Sequence, residues 1–321
     1  MKIKYIAFLI ALLFGASCSK EPAITPSSTE GSDRFSFPQG NSDYDQVAKN
    51  VFEKFGVKII YKDFTEADFN LSWTAPGIGK IGYPVPEVQQ GEAVNYIAND
   101  IFGNLTPNII KRVLPPFFYV ADSVYQITNV AGLLEGRNPT AYNYTGLDFW
   151  QFTWNGIGSY TKNLATGLMM AESKPIERPK TSFQKFYRRG VMLKEIYKKA
   201  VTVGNIKAPE GFSAGLDFTK AIKYAVGTDN DPDHFRKRGF PGQMTSTTTF
   251  ELGNLTAISK TNPDQNFIDY IHLCMRYSPD TLEIAFPKAN YPILHEKYKI
   301  AIDYMKEKYA IDLTKIATKP E

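Results

Sequence analysis

The chain has 321 residues, of which 37 are Lys or Arg and 33 Asp or Glu, with 43% hydrophobic and 14% aromatic content and two cysteines. So much apolar material beside a formal net charge of +4 excludes a chain disordered over most of its length, and no run of Lys and Arg marks a nucleic-acid footprint. Two cysteines exclude a disulfide-stapled scaffold and a Cys-rich zinc module.

Residues 1–17 read as a signal peptide. Lys2 and Lys4 precede the apolar run Ile6 to Phe14, and Gly15-Ala16-Ser17 follow it. The run is far shorter than the ~20 residues a helix needs to span a bilayer. Cys18 comes directly after the small residues, an arrangement that resembles a bacterial lipobox, so Cys18 is expected to be lipidated. The membrane is then a partner through the anchor, in the manner of an outer-membrane lipoprotein facing the cell surface or the periplasm. Residues 18–42 are rich in Ser, Pro, Gly and Thr and read as a flexible tether, with Ser19-Lys20-Glu21 similar to a surface-export tag.

The body is expected over residues 43–316, with 317–321 as a tail. Tyr44, Val47, Ala48, Val51, Phe52 and Phe55 have the spacing of one helix face, between Ser42 as N-cap and Gly56 as stop. Val57 to Lys62 reads as a strand. Gly77-Ile78-Gly79-Lys80-Ile81-Gly82 has a dinucleotide-like spacing, but Tyr83-Pro84-Val85-Pro86 stands where the phosphate-binding helix must begin, so that reading is excluded. Glu87 to Phe102 reads as a helix, and Pro115 to Val120 with Ser123 to Ile127 as strand.

Leu147 to Trp154 is the most aromatic stretch, and in an extended chain Trp150, Phe152 and Trp154 share one face. A core-facing strand is one reading. The other makes Trp73, Trp150 or Trp154 stacking platforms for a glycan. Thr181 to Val201 reads as a long helix with a break at Gly190, and Asn262-Pro263-Asp264-Gln265 opens another with Asn as N-cap and Pro at the first helical position. Its apolar face is Phe267, Tyr270, Ile271 and Cys274, which makes Cys274 a buried thiol. A last helix spans Pro292 to Tyr309. Strands in the N-terminal half and long helices in the C-terminal half predict an α+β fold.

Hydrolase machinery is scarce. The chain has three histidines, His234, His272 and His295, and no Gly-x-Ser-x-Gly or His-Glu-x-x-His. His295-Glu296 is followed by Lys299 where a second imidazole would be needed. One alternative assembles His234, His272, His295 or Glu296 with Asp269 into a nonstandard zinc site.

In chain order, the lipobox, the helix and strand from Val51 to Tyr61, the aromatic middle, the helix near 190, Pro209-Glu210-Gly211-Phe212, the helix carrying Asp264 to Ile271, and Tyr304 to Leu313 together resemble the zinc-binding metallopeptidase lipoproteins found beside outer-membrane glycan-uptake systems. The resemblance implies a zincin-like body whose long helix carries His-Glu-x-x-His. Here that motif falls on Lys194-Glu195-Ile196-Tyr197-Lys198, and the family's downstream acidic motif falls on Asn266-Phe267-Ile268-Asp269. A protonated lysine has no lone pair, so Lys194 and Lys198 cannot chelate zinc near neutral pH. No catalytic residue and no cofactor are therefore expected, and the implied role is binding of a peptide, protein or glycan. Two ammonium groups one turn apart call for an anion opposite, for which Asp269 and Glu195 are the candidates.

Overall fold

The computed structural model describes residues 34–70, 79–221, 231, 233–255 and 262–318. Cys18, the signal peptide, most of the tether, Trp73 and Gly77-Ile78 lie outside the described residues. The chain divides into residues 1–36 and 37–321. In the first unit, the Arg34 guanidinium stands 4.6 Å from the Phe35 ring centroid.

The second unit opens with helix α1 (Asp43–Phe55), strand β1 (Lys58–Ile60), helix α2 (Glu66–Asn70), strand β2 (Lys80–Pro84), helix α3 (Glu87–Tyr96) and the short helix α4 (Pro107–Ile110). A run of strands follows: β3 (Phe117–Val130), β4 (Leu134–Pro139), β5 (Tyr142–Asn143), β6 (Phe149–Thr153), β7 (Tyr160–Asn163) and β8 (Met169–Glu172). Helices α5 (Ser182–Thr202), α6 (Pro263–Arg276), α7 (Pro279–Ala285), α8 (Pro292–Tyr309) and α9 (Leu313–Ala317) complete it. The fold is mixed α and β, with a mixed sheet drawn from residues 58–172 and long helices after it.

Local chemistry sets the helix ends. The Ser42 backbone N–H donates to Asp45 at 2.9 Å, and Gly56 closes α1 at a φ of 71° that residues with a Cβ rarely adopt. Thr181 and Gln184 satisfy each other's backbone N–H groups at the start of α5, both at 3.1 Å. Asn262 accepts from the Gln265 N–H at 2.8 Å, and Pro263 takes the first position of α6. Gln39, within the stretch read as tether, is buried, and its side-chain oxygen accepts from the Tyr61 N–H at 2.8 Å.

Helix α5 is unbroken at Gly190, contrary to the expected interruption. A Cβ there would come within 2.3 Å of two carbons of the Phe250 ring, so the glycine admits a neighbouring side chain rather than ending the helix.

Strand β3 is the spine of the sheet. Its first residues pair in parallel with β1 and with β6, and its later residues pair antiparallel with β2 and β4. The sheet runs β5-β6-β3-β4-β7-β8, which leaves β5 on one edge and β8 on the other. Phe118, Val120, Trp150 and Phe152 join residues of α1, α3, α5, α6, α8 and α9 in one core. On the opposite face Tyr119 stacks on Phe149 at 4.6 Å, and Phe69 of α2 meets both rings edge-on. Burial on both faces explains why every residue of β6 is inaccessible. Trp150 is 1% and Trp154 0% exposed, so both belong to the core and neither offers a face to a sugar ring in solvent. This corrects the stacking-platform reading at those two positions.

Candidate functional site

Helices α5 and α6 carry the two segments that the resemblance singles out, and a line of polar groups lies where they meet. Lys194 is 0% exposed. Its ammonium donates to the carbonyl oxygens of Ser246 and Thr249, the latter at 2.8 Å, and lies 3.6 Å from the Glu195 carboxylate. Burial pulls its pKa below the ordinary lysine value, and Glu195 opposes that shift. Of the two candidate anions, Glu195 is therefore the one in contact with Lys194. Lys198, one turn on, is exposed, and no ion pair joins it to Asp269 among the described residues. In place of the expected Lys198 to Asp269 contact, Lys198 acts on Asp269 only at a distance, by lowering its pKa.

On α6, Asn266, Asp269 and His272 recur every three residues and are at most 2% exposed. Among the described residues, neither the oxygen nor the nitrogen of the Asn266 amide has a hydrogen-bond partner. Asp269 accepts from Gln265 Nε2 at 2.8 Å and is also bonded by the Gln243 side chain. Desolvation nevertheless pushes it up to about 8, against the pull of Gln265, Gln243 and Lys198, so the carboxyl holds its proton at neutral pH. His272 Nε2 lies 3.1 Å from the Lys194 carbonyl oxygen, which makes Nε2 the donor and leaves Nδ1 without a partner among the described residues. Burial pushes His272 down to about 3, so it is neutral.

These residues do not fit zinc. Lys194 spends its N–H groups on the Ser246 and Thr249 carbonyls and faces the Glu195 carboxylate, so its nitrogen is already engaged by the protein. Lys198 is exposed, and Asp269 is a neutral acid. Among the described residues no three of His, Cys, Asp or Glu are grouped to hold a metal ion. The nonstandard set is scattered, which corrects that alternative. The His234 ring packs 4.4 Å from Phe235, His272 lies in the seam between α5 and α6, and His295 bonds the Phe286 carbonyl at 2.6 Å. Glu296 follows His295 on α8, 3.7 Å from the Lys297 ammonium, and both His295 and Glu296 line a groove of about 750 Å³ along α7 and α8.

Sequence reasoning overlooked two further cations of α5. Arg188 donates to the carbonyls of Thr153 and Trp154 and lies 4.2 Å over the Phe152 ring. Arg189 donates to the carbonyls of Ile316 and Thr318, both at 2.6 Å, and to Asp100 at 3.3 Å. The available signal was Arg188-Arg189-Gly190 lying between Phe186 and the apolar run Val191-Met192-Leu193. Also overlooked was a cavity of about 190 Å³ between the outer side of α5 and the β5–β6 edge, lined by Tyr144, Trp150, Glu195, Lys198, Lys199 and Thr202.

No helix among the described residues is long and apolar enough to cross a membrane. No family model and no curated protein matches the chain. Among solved structures, one described as a "putative zinc-binding metallo-peptidase" from Bacteroides caccae ATCC 43185 is similar at 11% identity and a TM-score of 0.41, covering 87% of this chain and 92% of that chain.

Proposed function

We propose that this protein is a lipid-anchored, extracytoplasmic relative of the zinc metallopeptidase lipoproteins, zincin-like in its body, that works by binding a peptide, protein or glycan and not by metal-dependent hydrolysis. The observation that carries this reading is Lys194. At the position where the motif calls for the first metal-binding imidazole, a buried ammonium donates to the carbonyls of Ser246 and Thr249 and fastens that segment to α5. The group fills a structural role that competes with metal binding, because its nitrogen is engaged by two backbone carbonyls and the Glu195 carboxylate.

Metal content and proteolysis test this directly. Full-length protein incubated with zinc and passed through a desalting column is expected to retain no stoichiometric metal and to leave casein intact. One zinc per chain, or casein cleavage abolished by a chelator, would overturn the proposal. The anchor has its own test. Cys18→Ala should move the protein from the membrane fraction to the soluble fraction, and its retention in the membrane fraction with the signal cleaved would show that another anchor exists.

A further inference from the structure

Six large apolar side chains stand in solvent at one end of the sheet. Val130 and Leu133 belong to the β3–β4 turn, and Leu164, Leu168, Met169 and Met170 to the β7–β8 turn and the start of β8. All six are between 40% and 65% exposed. Leu134 pairs with Asn163, and the Leu164 N–H donates to the Leu133 carbonyl at 2.9 Å, so the two turns form one tip. All four residues of β8 are exposed, which leaves the tip without a wall on that side. An apolar patch of this kind marks a surface that is covered in use.

The turns meet their own backbone needs. Asn129 accepts from the Gly132 N–H, and the Asn163 side chain accepts from those of Ala165 and Thr166. The Gly167 and Leu168 N–H groups donate to the Asn163 carbonyl and the Thr166 hydroxyl. Donors already bonded can leave water without being orphaned. Behind the turns the charges cancel. Counting inward from the Leu134–Asn163 pair, the first rung of the sheet holds Glu135 and Lys162, and the third holds Arg137, Tyr160 and Glu172. Arg137 lies over the rings of Tyr125 and Tyr160 at 5.3 and 4.5 Å, and the Tyr160 hydroxyl draws Glu135 toward the third rung. Both signs of charge beside tyrosine hydroxyls complement a zwitterionic headgroup layer. At ~3.3 Å per residue the third rung stands ~10 Å behind Leu134, the depth to which interfacial apolar groups enter a bilayer.

We infer that the β3–β4 and β7–β8 turns enter the surface of a phospholipid bilayer, with Leu133, Leu164, Leu168 and Met170 among the acyl chains and Arg137 at the headgroups. The inference rests on the lipid anchor proposed above and adds a second contact, which fixes how the body is turned toward the membrane. The chain from Cys18 to Phe37 spans at most ~65 Å, so an anchored body stays within reach of the bilayer.

A polarity-sensitive fluorescent probe on an introduced cysteine of the full-length protein tests it. Leu168→Cys places the probe at the tip, and Ile284→Cys places it on α7, where the side chain is 81% exposed, as the control. The parent protein, labelled in parallel, is the blank for the native cysteines. On phosphatidylcholine vesicles the probe at 168 should shift to the blue and be quenched by spin-labelled acyl chains, and the probe at 284 should do neither. Adding Leu133→Ser and Leu164→Ser, with the fold checked by circular dichroism, should lower the ratio of inserted to withdrawn tip at least about tenfold. An unquenched probe at 168, equal quenching at 284, insertion only into anionic vesicles, or an unchanged ratio in the serine variant would overturn the inference. So would a blue shift without vesicles that grows with protein concentration, because a second copy would then cover the tip. Fractionation of Cys18→Ala is read separately. An aqueous probe on an anchored protein removes the tip contact alone, and a quenched probe on an unanchored protein removes the anchor alone.

Discussion

Lys194 and Lys198 are the same residue type, one helical turn apart on α5, and they have opposite surroundings. Lys194 is enclosed, with its ammonium divided between two carbonyl oxygens and a carboxylate, while Lys198 stands at the rim of an open cavity. The difference comes from what covers them. The 246–249 segment crosses the helix at Lys194 and supplies acceptors there, whereas beyond it the next turn faces the sheet edge and solvent. A charge in a low-dielectric interior is tolerated only where fixed dipoles replace its water, and backbone carbonyls do that as well as carboxylates.

The sharpest way to break the comparison is to remove each charge in turn. Lys194→Met leaves the Ser246 and Thr249 carbonyls and Glu195 without their donor and is expected to cost about 3 kcal/mol in urea unfolding. The next effect depends on pH. Asp269 titrates near 8 in the folded protein and near 4 in the unfolded chain, so both states are protonated in strong acid. As pH rises from 4 to 8 the unfolded state loses its proton first, and the folded state is progressively destabilised. Asp269→Asn should therefore gain about 2 kcal/mol on the parent between pH 5 and pH 7 and nothing at pH 3.5. His272 tilts the profile the other way. Its folded pKa of about 3 lies below the unfolded 6.5, so its contribution is complete above pH 6.5 and is lost as pH falls toward 3, and the Asn variant leaves that acid limb intact. The smallest effect is Lys198→Met, under about 0.5 kcal/mol, as befits an exposed side chain. Equal costs for the two lysine variants would show that the 246–249 segment does not enclose Lys194.

Much of the fold was legible because its signals are local. The caps at Ser42, Thr181 and Asn262 act over three residues, and the apolar face of α6 repeats within the helix itself. Strand β3 was read as two pieces because Ala121 and Asp122 interrupt its pattern, yet pairing with β2 and β4 carries the strand through to Val130. The candidate site was legible in its residues and not in their surroundings. The partners of Lys194 are carbonyl oxygens 52 and 55 residues away, and a carbonyl has no sequence signature. Asp269 was assigned to Lys198 by position, but a glutamine one turn earlier and another brought in from residue 243 share its carboxyl instead.

The carbonyl-bound cations of α5 also govern the order in which the chain can finish folding. Arg189 finds its backbone acceptors 127 and 129 residues downstream, at Ile316 and Thr318. Until those residues emerge from the ribosome, a guanidinium in the middle of the central helix must keep its water, and the core around Phe186 and Val191 cannot close over it. Closing the core around α5 is therefore coupled to the placement of Ile316 and Thr318 at the far end of the described chain.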